Sequence, residues 1–154
     1  MKIKTRELIG LPLDYAVAIA KGGTGFWYDT VATYWVKING HDRALSKGWA
    51  SKSFTPSTDW AHGGEIIEEA DISVIRCNAG FKLWNNDLTL LDAWAAMSGE
   101  QSYETSTDHQ SHEAMLQFDV DSLIFGHTPL VAAMRCYVFE RLGAVVDIPE
   151  GLLT

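Results

Sequence analysis

The segment from Phe54 to Ile72 concentrates residue types that could bind a ligand. In FTPSTDWAHGGEIIEEADI, small polar residues precede a Trp, a His and a pair of glycines. Glycines ahead of a helix N-terminus let backbone N–H groups approach an anion, while Trp and His offer a stacking plane and a polar tip. The segment lacks the lysine and the spacing of a phosphate-binding P-loop. Its composition therefore predicts a ligand contact.

The same composition also has a structural explanation. Pro56 favours a turn, and the polar residues that follow can cap the backbone of a short helix. Capping does not explain Trp60 and His62, which lead directly into the two glycines. A second helix is expected to start at Glu65, just after those glycines.

Arg135 is the one charged residue in the apolar stretch 129–139. It can extend from the outer side of a helix, or it can point inward and require a carboxylate such as Asp59 or an anionic ligand. The predicted ligand-binding set consists of the loop residues together with two residues of the C-terminal helix region: Ser57, Thr58, Asp59, Trp60, His62, Gly63, Gly64, Thr128 and Arg135.

Metal binding and catalysis find little support in the sequence. His109 and His112 have the i, i+3 spacing of a helical metal site, but no third ligand is identifiable, and solvated side chains are the favoured interpretation. No Ser or Cys lies in a recognisable nucleophile motif. We therefore expect no catalytic residue, no metal and no cofactor.

The net charge of -8 comes from one part of the chain. Residues 1–82 are nearly balanced, whereas residues 83–134 contain eight acidic side chains and no Lys or Arg. A protein that binds duplex DNA would be expected to show a basic face, so nucleic acid is an unfavoured partner. The acidic segment could instead cover a basic surface of another protein.

Length and composition predict one domain over residues 1–154. Cys77 and Cys136 are too few for a disulfide framework and are expected to be buried. The charged N-terminus is followed by no long apolar run, so neither a signal peptide nor a membrane span is expected, and the cytoplasm is the predicted location. The six tryptophans are numerous enough that some could line a pocket or an oligomer interface.

Helix and strand patterns occur in mixed order, which predicts a compact α+β domain with a small mixed or antiparallel sheet packed by an N-terminal and a C-terminal helix. The N-terminal helix is expected over 12–21. The C-terminal helix has a cap at Thr128, Pro129 at its first position and a stop at Gly143. Asn39-Gly40 predicts a hairpin, and Leu88 to Met97 fits either a strand pair or a helix.

The polar, acidic stretch 98–113 is expected to be an exposed loop or flap.

Three stretches together resemble a known family. PSTDWAHGGEIIE, TPLVAAMRCYV and the opening KIKTRELIGLPLDYAVA are similar to the NinX-like proteins of tailed phages of enteric bacteria, a domain family of unknown function. The resemblance implies a small accessory protein made in the cytoplasm of an infected host. Such proteins often act against host defences, by blocking a host protein or by sequestering a nucleotide signal.

These observations lead to two main functional hypotheses, ranked ahead of a metal-dependent hydrolase that would use His109 and His112. The first is a non-enzymatic protein that sequesters a small anionic, nucleotide-like molecule, with Trp60 stacking and Arg135 meeting negative charge. The second is an acidic inhibitor of a host protein.

Overall fold

A long and largely buried helix near the C-terminus forms the centre of the fold. The computed structural model describes residues 1–29, 33–46, 52–77, 81–82, 89–90, 93–98, 104–107, 114–117 and 123–153. The central helix, α3, spans Pro129–Leu142, and α1 (Gly10–Ala20) and α2 (Trp60–Glu69) both pack against it. The N-terminal and C-terminal helices thus share one core, as the sequence predicts.

Local signals determine both ends of α3. The Oγ1 atom of Thr128 accepts a hydrogen bond from the Val131 N–H at 3.1 Å, Pro129 occupies the first helical position, and Gly143 ends the helix with φ 87°. These three features are confirmed. Burial extends around most of the first ten residues of α3, where eight residues are buried: Leu130, Val131, Ala132, Ala133, Met134, Cys136, Tyr137 and Val138.

Twelve short strands accompany the helices in the described part of the chain, and every pairing is antiparallel. In chain order they are β1 (Lys2–Lys4), β2 (Thr24–Tyr28), β3 (Tyr34–Ile38), β4 (His41–Ala44), β5 (Ser73–Cys77), β6 (Phe81–Lys82), β7 (Thr89–Leu90), β8 (Ala93–Met97), β9 (Glu104–Thr107), β10 (Ala114–Gln117), β11 (Ile124–Gly126) and β12 (Val145–Asp147). Two 3-10 turns, Thr5–Glu7 and Glu150–Leu152, complete the described elements.

The strands form several small sheets rather than one continuous sheet. Two sheets have three strands, in the orders β2-β3-β4 and β11-β8-β5, and the remaining pairs are β1 with β12, β6 with β7 and β9 with β10. The predicted Asn39-Gly40 hairpin joins β3 to β4, with φ values of 50° and 80° that suit its two-residue turn. The α+β prediction is confirmed, with small antiparallel sheets.

Close backbone contact fastens the sheet β11-β8-β5 to α3. A Cβ atom placed on Gly126 of β11 would collide with the backbone of Ala132 in α3, so only glycine allows this approach. The main hydrophobic core contains residues from the two three-stranded sheets and from all three helices, among them Leu13, Ile66 and Met134. Cys77 and Cys136 are both buried and free, as expected.

Some sequence expectations are refined by the structure. Residues 93–97 form β8, so the strand alternative holds for this part of Leu88 to Met97. Within the segment 98–113, residues 104–107 form β9, which pairs with β10, and most of the segment lies outside the described residues.

Candidate functional site

The segment singled out in the sequence forms the start of α2. Pro56 to Thr58 make a turn, and the Oδ1 atom of Asp59 accepts the Ala61 N–H at 2.9 Å, which caps the helix. The helix therefore begins at Trp60, and the expectation of a second start at Glu65 is wrong. Helix α2 starts directly after the Asp59 cap and contains both glycines.

Gly63 lies inside α2 and is needed for close packing. Its N–H donates to the Asp59 carbonyl at 2.9 Å, as in a regular helix. A Cβ atom at this position would lie 2.5 Å from the Pro56 carbonyl oxygen and 2.6 Å from the Cδ2 atom of Leu130. At Gly64 the nearest such atom is Cε3 of Trp60, 3.9 Å away, so packing does not demand glycine there.

The backbone of Ser57 is hydrogen-bonded to a buried carboxylate on α1, that of Asp14. The Ser57 N–H donates to Oδ1 of Asp14 at 2.8 Å, and both residues are buried. Burial raises the pKa of Asp14 to about 7, although the hydrogen bond from the Ser57 N–H favours its charged form. The Ser57 hydroxyl is also buried, but it forms no hydrogen bond with any described residue. Asp14 is absent from the residues predicted from the sequence, where its one signal is a single acid within the apolar LPLDYAVAIA.

His62 faces the loop that precedes its own helix. Its Nδ1 atom accepts a long hydrogen bond from the Thr55 N–H at 3.4 Å and lies 3.6 Å from Oδ2 of Asp59. The ring also contacts that of Phe54, with 5.6 Å between centroids. The imidazole is therefore engaged mainly in holding the loop 54–59 against α2.

Trp60 differs from these neighbours because it points into solvent. It is 58% exposed at the first position of α2, and Thr58 and Asp59 beside it are also exposed. An indole left this open at the start of a well-packed helix is available to a binding partner.

Thr128 and Arg135 have structural contacts elsewhere on α3. The Thr128 hydroxyl oxygen is the cap described above, while Arg135 donates from Nε to the Leu8 carbonyl and from Nη1 to the Phe125 carbonyl, both at 2.8 Å. The predicted alternative in which Asp59 pairs with Arg135 is wrong, because the guanidinium makes no ion pair with a described carboxylate. Burial lowers the pKa of Arg135.

A polar cleft of about 290 Å³ lies at the other end of α2. None of the nine predicted ligand-binding residues lines this cleft. Its wall includes Tyr137 and Arg141, whose guanidinium carbon lies 3.9 Å from the Tyr137 ring centroid. Glu69 of α2, Asp71 and Glu140 of α3 also line the cleft, so it presents charge of both signs.

His109 and His112 lie outside the described residues, so their predicted spacing has no structural description. Within the part that is described, no three His, Cys, Asp or Glu side chains are grouped so that they could hold a metal ion. No helix in the described ranges is long and apolar enough to cross a membrane.

The fold and the motif describe a small α+β domain in which the TDWAHGG segment starts a helix packed on a central C-terminal helix. The family model for bacteriophage P22 NinX matches residues 4–141, and the chain belongs to this family. The family resemblance seen in the sequence is thereby confirmed. No curated protein matches the chain.

Proposed function

We propose that this phage protein is a non-enzymatic accessory protein that binds a host protein through the exposed side of α2. We call this surface the α2 outer face and define it as Trp60, Ala61, Glu65 and Glu68, which are all exposed. The observation that carries the proposal is the 58% exposure of Trp60 on a helix whose opposite side is tightly packed. Tryptophan is enriched among the residues that dominate binding energy at protein interfaces.

Three of the polar groups around Trp60 already make internal contacts. The Asp14 carboxylate accepts a hydrogen bond from the Ser57 N–H, and the Asp59 carboxylate accepts one from the Ala61 N–H. The Gly63 N–H donates to the Asp59 carbonyl. Small-molecule sites are usually concave and converge polar groups on the ligand. The α2 outer face instead offers one exposed aromatic anchor, Trp60, beside two exposed carboxylates.

Charge on α2 favours a basic partner. The helix contains three glutamates and no Lys or Arg, and an exposed aspartate caps it. Among these acids, Glu69 is paired with Lys21 at 2.8 Å, whereas Glu65 and Glu68 lie on the outer face. Complementary charge of this kind speeds association and selects the partner. The acidic residues of 83–134 would extend the same preference for a basic surface of a host defence protein.

Capture of a nucleotide-like molecule is the second candidate function. The observation in its favour is that the Trp60 ring lies beside Gly64, where no side chain competes for a stacking position. Its ligand would have to be an anion that tolerates the exposed carboxylates of α2. This repulsion is the reason that we rank a protein partner first.

The experiment compares proteins retained from host-cell extract by the immobilised wild type, Trp60→Ala and a matched control, Ile9→Ala. Ile9 is also exposed, at 53%, but lies outside α2 and outside the sheets. We expect one host protein to be retained by the wild type and the control, and its affinity for Trp60→Ala to fall by about 30-fold, the size of a typical hot-spot loss.

Charge supplies a second readout with the purified partner. Glu65→Gln/Glu68→Gln should slow association and reduce its salt dependence, since exposed charges act mainly on the association rate. Equal retention by all three immobilised proteins would contradict the proposal. Nucleotide capture would instead appear as a rise in melting temperature with added nucleotide that Trp60→Ala abolishes.

A further inference from the structure

Strand β2 lies at the edge of the sheet β2-β3-β4. It pairs on one side with β3, and no strand in the described ranges pairs with its other side. Four of its residues are exposed and Phe26 is half buried. An edge strand presents unpaired backbone N–H and C=O groups that another strand can satisfy.

The two edges of this sheet differ in the features that usually prevent strand addition. β4 presents exposed His41, Asp42 and Arg43, and charged edge residues oppose pairing with another chain. β2 has the sequence TGFWY, with no charge and no proline. Its one irregularity is a register shift between Thr24 and Phe26, which leaves Phe26 to Tyr28 in regular register with β3.

Aromatic side chains make β2 suited to receive a further strand. Trp27 stacks on Trp35 of β3, with 6.4 Å between ring centroids and 9° between ring planes. The ring centroids of Tyr28 and Tyr34 are 4.7 Å apart. Trp27 is still 37% exposed and Tyr28 57% exposed. Cross-strand aromatic pairs stabilise a sheet. Side chains of a strand added beside β2 could therefore pack against Trp27 and Tyr28 and extend these two aromatic pairs across the sheet.

Charge indicates which strand would be added. Two copies of a chain with net charge -8 repel each other least when they meet through an uncharged surface, and β2 is such a surface. Antiparallel pairing about a two-fold axis sets a strand against itself, which an uncharged strand permits without opposing like charges. We propose that β2 pairs antiparallel with β2 of a second copy of this chain, which gives a six-stranded sheet across the dimer.

Sedimentation of the full chain over a range from about 1 to 200 μM tests this pairing, because a small symmetric interface gives micromolar dissociation constants. We expect a concentration-dependent dimer. Tyr28→Lys and Trp27→Lys should each weaken it at least tenfold. Ile9→Lys is the control, since Ile9 has a similar exposure of 53% and lies outside the sheet.

Hydrogen exchange of the wild type supplies the readout that does not depend on a variant. The β2 amides should gain protection as the concentration rises across the dimerisation range. A wild type that stays monomeric at every concentration overturns the proposal. Equal association by folded Tyr28→Lys and Trp27→Lys overturns it as well. If neither variant melts cooperatively, unchanged β2 exchange between dilute and concentrated wild type is the result that refutes it.

Discussion

Arg135 is bound by two carbonyl oxygens rather than by a carboxylate. One belongs to Leu8, just before α1, and the other to Phe125 in β11, so a single side chain on α3 joins three separate segments. Five donors in a planar fork allow arginine to make such contacts, and the group stays charged at any pH of interest. The stability of the domain therefore depends on a residue that the sequence singled out for ligand binding.

Replacing Arg135 should reveal this structural role. Arg135→Ala is expected to lower the free energy of unfolding by about 2–4 kcal/mol, because hydrogen bonds to a charged donor contribute about 1.5–3 kcal/mol each and half-buried carbonyls regain some water. Arg135→Lys should lower the free energy of unfolding by less, because the single ammonium group of lysine can still donate to one of the two carbonyl oxygens. Urea unfolding measures both, with Arg141→Ala as a control expected to lose less than about 1 kcal/mol. A match between Arg135→Ala and that control would argue against the contacts.

At the scale of elements, α2 is positioned by a tight approach rather than by a large apolar face. Gly63 lets the helix contact the Pro56 carbonyl and Leu130 of α3, and Ile66 lies on the same buried side. The opposite side is left free for Trp60 and the glutamates. Packing at Gly63 and exposure at Trp60 are consequences of the same helix orientation.

The glycine pair offers a matched test of that orientation. Gly63→Ala should destabilise the protein by about 1–3 kcal/mol, because the added methyl group meets backbone that cannot move away easily. Gly64→Ala should stabilise it by about 0.5–1 kcal/mol, since alanine is the better helix former and its position is open. Thermal and urea unfolding of the two variants would decide, and a gain in stability from both would show that α2 does not pack on Pro56 and Leu130.

At the scale of the whole molecule, Asp14 makes stability depend on pH. Its pKa is about 7 in the folded state against an ordinary value of 3.8, so the folded protein binds more protons than the unfolded chain between these values. The contribution of Asp14 to the free energy of unfolding is therefore complete below about pH 4. It is lost as the pH rises from there through about 7. Three pKa units correspond to a loss of about 4 kcal/mol.

Removing the ionisable group should remove this dependence. Asp14→Asn keeps an oxygen that can accept the Ser57 N–H but cannot ionise, so it is expected to exceed the wild type in stability above pH 7, by a margin that shrinks toward pH 4. Urea unfolding at pH 5 and at pH 8 measures the difference. Asp42→Asn, an exposed carboxylate paired with Lys37, serves as the control. A margin that is the same at both pH values would count against a buried, titrating Asp14.

Much of the local structure could be predicted because its signals act over a few residues. The cap at Thr128, the stop at Gly143 and the Asn39-Gly40 turn need only their immediate neighbours, and all three lie where the sequence places them. In the motif, the cap at Asp59 is confirmed, and only the second helix start expected at Glu65 is wrong. The glycines suggested a break there, but α2 runs from Trp60 to Glu69 through both of them.

The sequence by itself determined the two ends of α3, the hairpin, the α+β class and the family. Only the tertiary structure decided which of the motif residues remain exposed. Asp14 reaches Ser57 across 43 positions and Arg135 reaches Leu8 across 127, and no local pattern reports contacts at such separations. Burial depends on how the helices pack, so Trp60 is open and Ser57 is enclosed even though both belong to one short motif.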